Sequence, residues 1–366
     1  MDADYAVIGG GLIGLITAQS LAFHGKKVLL FKEDHSTIQD KRAYGLTYGS
    51  LRRLDYLGLS LPLTTKIESL SLYFNQYKSH EINATAMNIP YLGANILHSV
   101  INDSFLTQLS PAITIVHEKV FGLTLDQHWS ICTSLNNTYH VDYIAGSDGS
   151  ESLVRRITSP LLAYEYTFPQ TALVFHLTHS EEKSAEKAYQ ISLDNFLIGL
   201  LPLNQKQSYF VMTGPHQDIA ALKNKIELED HLPHFFQKNK IIHDLLSKAI
   251  IEIVAGPYPL KSYHVKQQIN RRSFLIGLAA KSFHPAAAMG LNQSIYEISL
   301  INQMINRQKD KKELIWGSQF ERNIAFKAQS IRYLTAALAF PWTRSLLSIA
   351  PFSTDYIIKH LSNFLA

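Results

Sequence analysis

A chain of 366 residues, 46% hydrophobic and 17% charged, carries enough apolar material for more than one minimal core; this excludes a disordered chain and suits two intertwined domains or one large α/β domain. The net charge of +4 is mild and no dense basic stripe is present, so no nucleic-acid partner is expected; the cluster at 307–312 (RQKDKK) reads as a solvated helix end. A single cysteine, Cys132, excludes an internal disulfide and fits a reducing compartment.

The opening MDADYAVIGGG has acids where a secretory leader needs bases. No window reaches the roughly 20 uninterrupted apolar residues of a membrane-spanning helix. The expectation is a cytoplasmic protein, free or peripheral at the inner face of a membrane. Among sixteen histidines the nearest pairs are His176 with His179 and His231 with His234. Neither pair has a Cys, Asp or Glu at a familiar ligand spacing, so no metal site is expected.

In chain order, Tyr5-Ala6-Val7-Ile8 is a short apolar run of strand type, followed by GGGLIG at 9–14. Leu12, Leu15, Ile16, Gln19 and Ala22 recur at helical spacing, the pattern ends near Gly25, and Val28-Leu29-Leu30-Phe31 reads as a second strand. The order is that of a dinucleotide-binding unit. Gly9 allows the tight turn, Gly11 lets a diphosphate approach the backbone, and Gly14 allows close helix–strand packing. The helix N-terminus then offers amide donors and partial positive charge. The second strand should end in an acid that accepts from the adenosine ribose. That position is Lys32, with Glu33 one residue later. Either the strand end bulges and Glu33 serves, or the ribose contact is lost; a lysine there would also suit a 2′-phosphate, as in NADPH.

Next come DKRAYGLTYGS at 40–50 and a helix-like LRRLDYLGL. Strand-like runs follow at SLSLYF, TALVFHL and QSYFVMTG, rich in β-branched and aromatic residues. Between them HVDYIAGSDGSESLVRR supplies Asp148 and Gly149, with Ser152 and Arg155 at spacings of three. After PYPLKSYHV and the strand at 274–276 comes GLAAKSFHPAAAMGLN, 277–292; Asn292 also suits a helix cap for QSIYEISLINQMI. The final segment reads as two or three short helices broken at Pro341 and Pro351, aromatic and interspersed with bases.

Taken together these motifs resemble the flavin-dependent aromatic hydroxylases of the p-hydroxybenzoate hydroxylase fold, most of all those of ubiquinone biosynthesis, which carry D-x-R-A-x-x-L-S-x-G-S, D-G-x-x-S-x-x-R and G-D-A-A-H…H-P…G-Q-G-x-N in that order. The resemblance runs nearly end to end, through LIGLLPL at 197–203 and FERN at 320–323. It implies an α/β fold with a Rossmann-like FAD-binding domain at 1–70, 95–160 and 265–320. A mostly antiparallel substrate domain would take 71–94 and 161–264, and C-terminal helices 321–366. FAD becomes the expected cofactor and NAD(P)H the co-substrate. Arg42 would neutralise the diphosphate, and Asp148 and Gly149 would lie in a turn near it. Glu33 is the remaining acid for the ribose. Gly277 would open the ring-end segment, and His284 and Pro285 would brace the ring. The amides of Gly290, Leu291 and Asn292 would reach the edge where negative charge collects on reduction.

The pattern is broken at four places. Lys32 replaces the ribose acid, Leu278 stands where the family Asp accepts a ribityl hydroxyl, Lys281 replaces a His, and Ala288-Met289 replaces Gly-Gln. Losses of about 1–3 kcal/mol per unpaired hydroxyl weaken a cofactor site appreciably. Lys281 could answer by reaching a phosphate or the flavin edge, and Ser282 by accepting the ribityl contact. The resemblance implies hydroxylation of an electron-rich, polyprenylated phenol with O₂, with no catalytic acid or base singled out. The competing class is a non-catalytic paralogue that scaffolds or regulates quinone-biosynthesis proteins. The aromatic segment 324–366 would either close the domain core or meet a membrane surface or such partners.

Overall fold

The computed structural model describes residues 1–307 except 34–39, 64, 75–76, 230–238, 247–248, 271 and 286–288. The C-terminal segment and Ala288 therefore lie outside the described residues.

The parallel sheet is built on β1 (Ala3–Ile8), flanked by β2 (Val28–Phe31) and β10 (Thr138–Gly146). Beyond these lie β7 (Ile113–Val116), parallel to β2, and β17 (Ser273–Leu275), parallel to β10. The hairpin β8 (Val120–Leu125) and β9 (Trp129–Thr133) joins β10 antiparallel, and β16 (Ile269–Asn270) pairs with β17. Alternation along β1 serves both faces, as period-two geometry requires. Tyr5 and Val7 enter one core with α1 (Leu12–Phe23), and Ala6 and Ile8 enter another with Ile131 and Val154.

The second large sheet runs β18-β15-β11-β14-β13-β12-β4-β5. Its members are β4 (Ser69–Phe74), β5 (Tyr77–Asn83), β11 (Leu162–His179), β12 (Lys187–Leu193), β13 (Phe196–Pro202), β14 (Gln207–Pro215), β15 (Ala249–Val265) and β18 (Lys281–Ser282). All its pairings are antiparallel except β4 with β12. The runs SLSLYF, TALVFHL and QSYFVMTG fall in β4, β11 and β14, as their composition predicts. A ribbon of β3 (Ala43–Thr47) and β6 (Gly93–Leu97) stands apart from both sheets.

The remaining helices are α2 (Tyr48–Tyr56), α3 (His98–Gln108), α4 (Leu153–Thr158), α5 (His216–Glu229), α6 (Lys240–Leu246) and α7 (Met289–Arg307). None of the described helices is long and apolar enough to cross a membrane.

The segment after β17 crosses from the parallel sheet to the antiparallel one. From β17 the chain makes a helical turn at Gly277–Ala279, and β18 pairs with β15 at the edge of the antiparallel sheet. It then returns as α7, whose Ile295, Ile298 and Ile301 share a core with Leu15 and Leu21 of α1.

Close packing at the first glycine turn yields a stability prediction. A Cβ on Gly14 would sit 1.8 Å from the carbonyl oxygen of Gly9, which is backbone and cannot swing aside. Gly14→Ala should therefore cost at least about 1–3 kcal/mol, read as a lowered urea midpoint with an unchanged slope.

Candidate functional site

The glycine turn is shaped as its sequence requires. Gly9 takes a φ of +106°, and a Cβ there would collide with Ser147. Gly11 is the residue before α1 in extended conformation, and no side chain caps the helix. Among the described residues, nothing beyond its chain neighbours lies within 4 Å of where a Gly11 Cβ would stand. The first-turn amides of a twelve-residue helix thus face open space, an arrangement that suits an anion.

Across this turn lies the Asp-Gly motif. Gly149 has a φ of +82° and lines the same cavity. The Asp148 carboxylate accepts from the Ser152 hydroxyl and from the amides of Leu153, at 2.7 Å, and Val154, at 3.2 Å. Both its oxygens therefore serve the start of α4, and Asp148 is not among the cavity-lining residues. Arg155 extends the motif's reach by donating to the carbonyls of Ser150, Leu278 and Ala279, with its guanidinium over the Tyr263 ring. It ties the Asp-Gly turn to the ring-end segment.

At the cavity mouth Arg42 binds Asp40 in bidentate fashion, at 2.9 Å and 2.6 Å. These bonds use Nε and Nη2; Nη1 carries two further N–H donors. Burial pushes the Asp40 carboxyl up, but the bonds and charge of Arg42 outweigh it and hold it below the usual range. The Arg42 guanidinium is raised in turn, chiefly by its hydrogen bond to Asp40. His98, 3.5 Å from Asp40, is shifted down by burial and so favours the neutral imidazole.

The ring-end segment departs from expectation at several residues. Gly277 needs its φ of +63° and is buried, whereas the Leu278 side chain is 52% exposed. Lys281 lines the cavity, but its ammonium is engaged by protein partners. It is 4% exposed, ion-pairs with Glu297 of α7, and donates to Gln268 Oε1 at 2.9 Å. Burial lowers its ammonium pKa, and Glu297 opposes that shift. Ser282 lines the cavity, but its hydroxyl donates to the Lys261 carbonyl. His284 is buried against Phe168, 2.9 Å from Gln170 of β11, and Pro285 is exposed; neither lines the cavity.

Asn292 is no helix cap. It lies within α7 and clamps β3, accepting from the Thr47 amide at 2.9 Å and donating to the Gly45 carbonyl at 2.8 Å. Glu33 lies 3.7 Å from Lys119 and is absent from the cavity wall. Lys32 lies over Gly10, where its Cβ and Cγ fill the space a side chain would take.

The cavity itself measures about 390 Å³, within the usual range for a bound small molecule. Gly11, Leu12 and Ile13 form one wall, and Gly290, Leu291, Gln293 and Ser294 form another. Arg42, Gly149, Gly277 and Leu278 lie between them. Two helix N-termini, those of α1 and α7, border it. Tyr44, His98, Phe283 and Gln293 also line it, and sequence reasoning did not select them. Tyr44 stood inside a quoted motif, whereas His98 had no local pattern to mark it. The open space at Gly11 and the uncapped α1 fit a dinucleotide diphosphate. The apolar Leu278 sits poorly against a polyol chain.

Over residues 2–80 and 132–305 the chain matches the family described as FAD binding domain. It belongs to that family. FAD is accordingly its dinucleotide, and Lys32 does not mark an NADPH site at the glycine turn. The chain is 24% identical over 362 residues to the mitochondrial ubiquinone biosynthesis monooxygenase COQ6 of Danio rerio, covering 83% of this chain and 74% of that one. It is 20% identical over 331 residues to the Escherichia coli 3-demethoxyubiquinol 3-hydroxylase, covering 83% and 80%. The p-nitrophenol 4-monooxygenase PnpA of Pseudomonas putida shares its fold, with a TM-score of 0.77 at 15% identity over 99% of this chain and 96% of that one. The fold is that of the FAD-dependent aromatic monooxygenases.

Two variants separate the site from its support. Gly11→Ala adds a methyl in open space at an unstrained φ of −74°. The FAD-free protein should keep its stability within about 0.5 kcal/mol while FAD affinity in a fluorescence titration falls, because the methyl occupies the diphosphate approach. Lys281→Ala strands the Glu297 carboxylate and should cost about 3–5 kcal/mol in chemical denaturation, most of it recovered by Lys281→Met with Glu297→Leu.

Proposed function

We propose that this chain is a flavin-dependent monooxygenase that hydroxylates the ring of a polyprenylated phenol on the way to ubiquinone, with NAD(P)H and O₂ as co-substrates. The observation that carries the reading is convergence. Three motifs far apart in sequence meet around one cavity between two helix N-termini, through Gly11–Ile13, through Arg42, and through Gly277, Leu278, Gly290 and Leu291. The choice of substrate follows the names of the zebrafish and Escherichia coli relatives, both of which act in ubiquinone chemistry.

When bound, FAD supplies hydride acceptance and oxygen activation, chemistry no side chain offers. The chain's own residues hold and shield it. The α1 amides and Arg42 take the diphosphate. The N-terminal amides of α7 at Gly290 and Leu291 offer partial positive charge to the ring edge that gains electrons. The antiparallel sheet, with 71–94 and 161–264, covers the ring and keeps water from it. The segment 324–366 rests on a membrane surface from which a lipid-tailed phenol enters.

A non-catalytic paralogue is the second reading, favoured by the exposed Leu278 and by Glu33 lying away from the cavity. The visible spectrum of purified protein, before and after excess FAD and gel filtration, separates the two. Retained flavin bands, with NAD(P)H oxidation stimulated by a prenylated phenol, are the expected result. A colourless protein at high FAD would defeat the hydroxylase reading.

A further inference from the structure

The end of β2 bears a cation where a dinucleotide fold places an acid. The strand does not bulge there: the Lys32 amide donates to the Val116 carbonyl at 3.0 Å and carries the β2–β7 ladder one residue further. Alternation then sends Lys32 and Glu33 to opposite faces. The Lys32 stem lies over Gly10, inside the glycine turn, and Glu33 faces Lys119. The residue that this strand end turns toward the adenosine ribose is therefore an ammonium, which only donates.

The cations around the site differ in what they have left to offer a ligand. Arg42 shares its charge with Asp40, Lys281 with Glu297, and Lys119 with Glu33. Arg155 donates to backbone carbonyls. Lys32 is partly exposed and makes no hydrogen bond or ion pair with a described residue. Its charge is felt at the cavity wall: burial, then Arg42 and Lys32, push His98 toward the neutral imidazole against the pull of Asp40. An ammonium beside the positive end of α1 is poorly placed until an anion arrives. A dinucleotide brings one to the next residue along, Gly11, where the diphosphate approaches the backbone. A flexible four-carbon stem suits the ammonium to meet it as a point charge, a stronger contact than one to a neutral ribose hydroxyl.

We propose that the Lys32 ammonium pairs with the diphosphate of FAD from its adenosine side. Lys32 is then a cofactor-binding residue that gives up the ribose contact and supplies the positive charge that Arg42, shared with Asp40, supplies only in part. The assignment rests on the FAD-dependent reading above.

The test is fluorescence titration of FAD-free protein with FAD and with riboflavin, which has no phosphate. Lys32→Met, Lys32→Arg and Lys32→Glu all keep the methylenes that cover Gly10, so the FAD-free thermal midpoint should stay within about 2 °C. Lys32→Met should weaken FAD about tenfold, Lys32→Glu about a hundredfold, and Lys32→Arg less than about threefold. Riboflavin should stay within about twofold in all three. The deficit of Lys32→Met should shrink toward about 1 M salt, where charges are screened over about 3 Å. Lys32→Glu that binds FAD as tightly as wild type, or more tightly, would overturn the proposal and show that the ribose needs an acceptor there. Unchanged FAD affinity in Lys32→Met, or riboflavin weakened in parallel with FAD, would overturn it too. Wild-type protein that binds no FAD would defeat the underlying reading as well, an outcome distinct from wild-type binding that the variants retain.

Discussion

A lysine ammonium and a glutamate carboxylate taken out of water together each carry a desolvation penalty of several kcal/mol, offset only where geometry is good and the remaining donors and acceptors are filled. Lys281 and Glu297 meet that condition through Gln268 and Gln293. Their positions matter more than their net contribution. Lys281 is in β18, the edge of the antiparallel sheet, and Glu297 is in α7, which packs on the first helix of the nucleotide fold. The pair fastens one sheet to the helix layer of the other, and the cavity opens beside that seam. An apolar pair of similar volume could hold the seam as firmly.

The cavity has an electrostatic character that follows from backbone rather than from side-chain charge. Two helix N-termini border it, one uncapped by any side chain, so donors face a ligand that brings phosphates and an electron-accepting ring. The main cation at its mouth, Arg42, is already shared with Asp40. Arg155, the other guanidinium nearby, holds carbonyls of the Gly277–Ala279 turn. Rigid support of this kind places a cofactor through fixed dipoles, with little reorganisation when it binds.

The local parts of this design were legible in sequence. The glycine turn, its helix and the second strand follow from apolar spacing and glycine placement within 31 residues, and the structure repeats them closely. Strands β4, β11 and β14 were visible for the same reason, since β-branched and aromatic runs report a half-buried pleat. Roles that depend on a distant partner were not legible. Lys281 read as a candidate for phosphate because Glu297, sixteen residues on, gave no sign that it would turn back against it. His284 finds Gln170 at a separation of 114 residues, and Asn292 finds Gly45 and Thr47 across almost the whole chain. Asp148 was recognised as part of a motif, yet its bonds are to the start of its own helix, a capping role that sequence spacing alone does not separate from a ligand contact.

A single FAD site built from both the glycine turn and the segment after β17 has a signature in backbone protection. Hydrogen–deuterium exchange with and without saturating FAD tests it most directly. Peptides containing Gly9–Leu15, Gly277–Phe283 and Met289–Ser294 should slow together on addition of FAD, while β5 and α6, which contribute nothing to the cavity wall, should not change. Protection confined to the glycine turn, or absent from all three, would contradict the account.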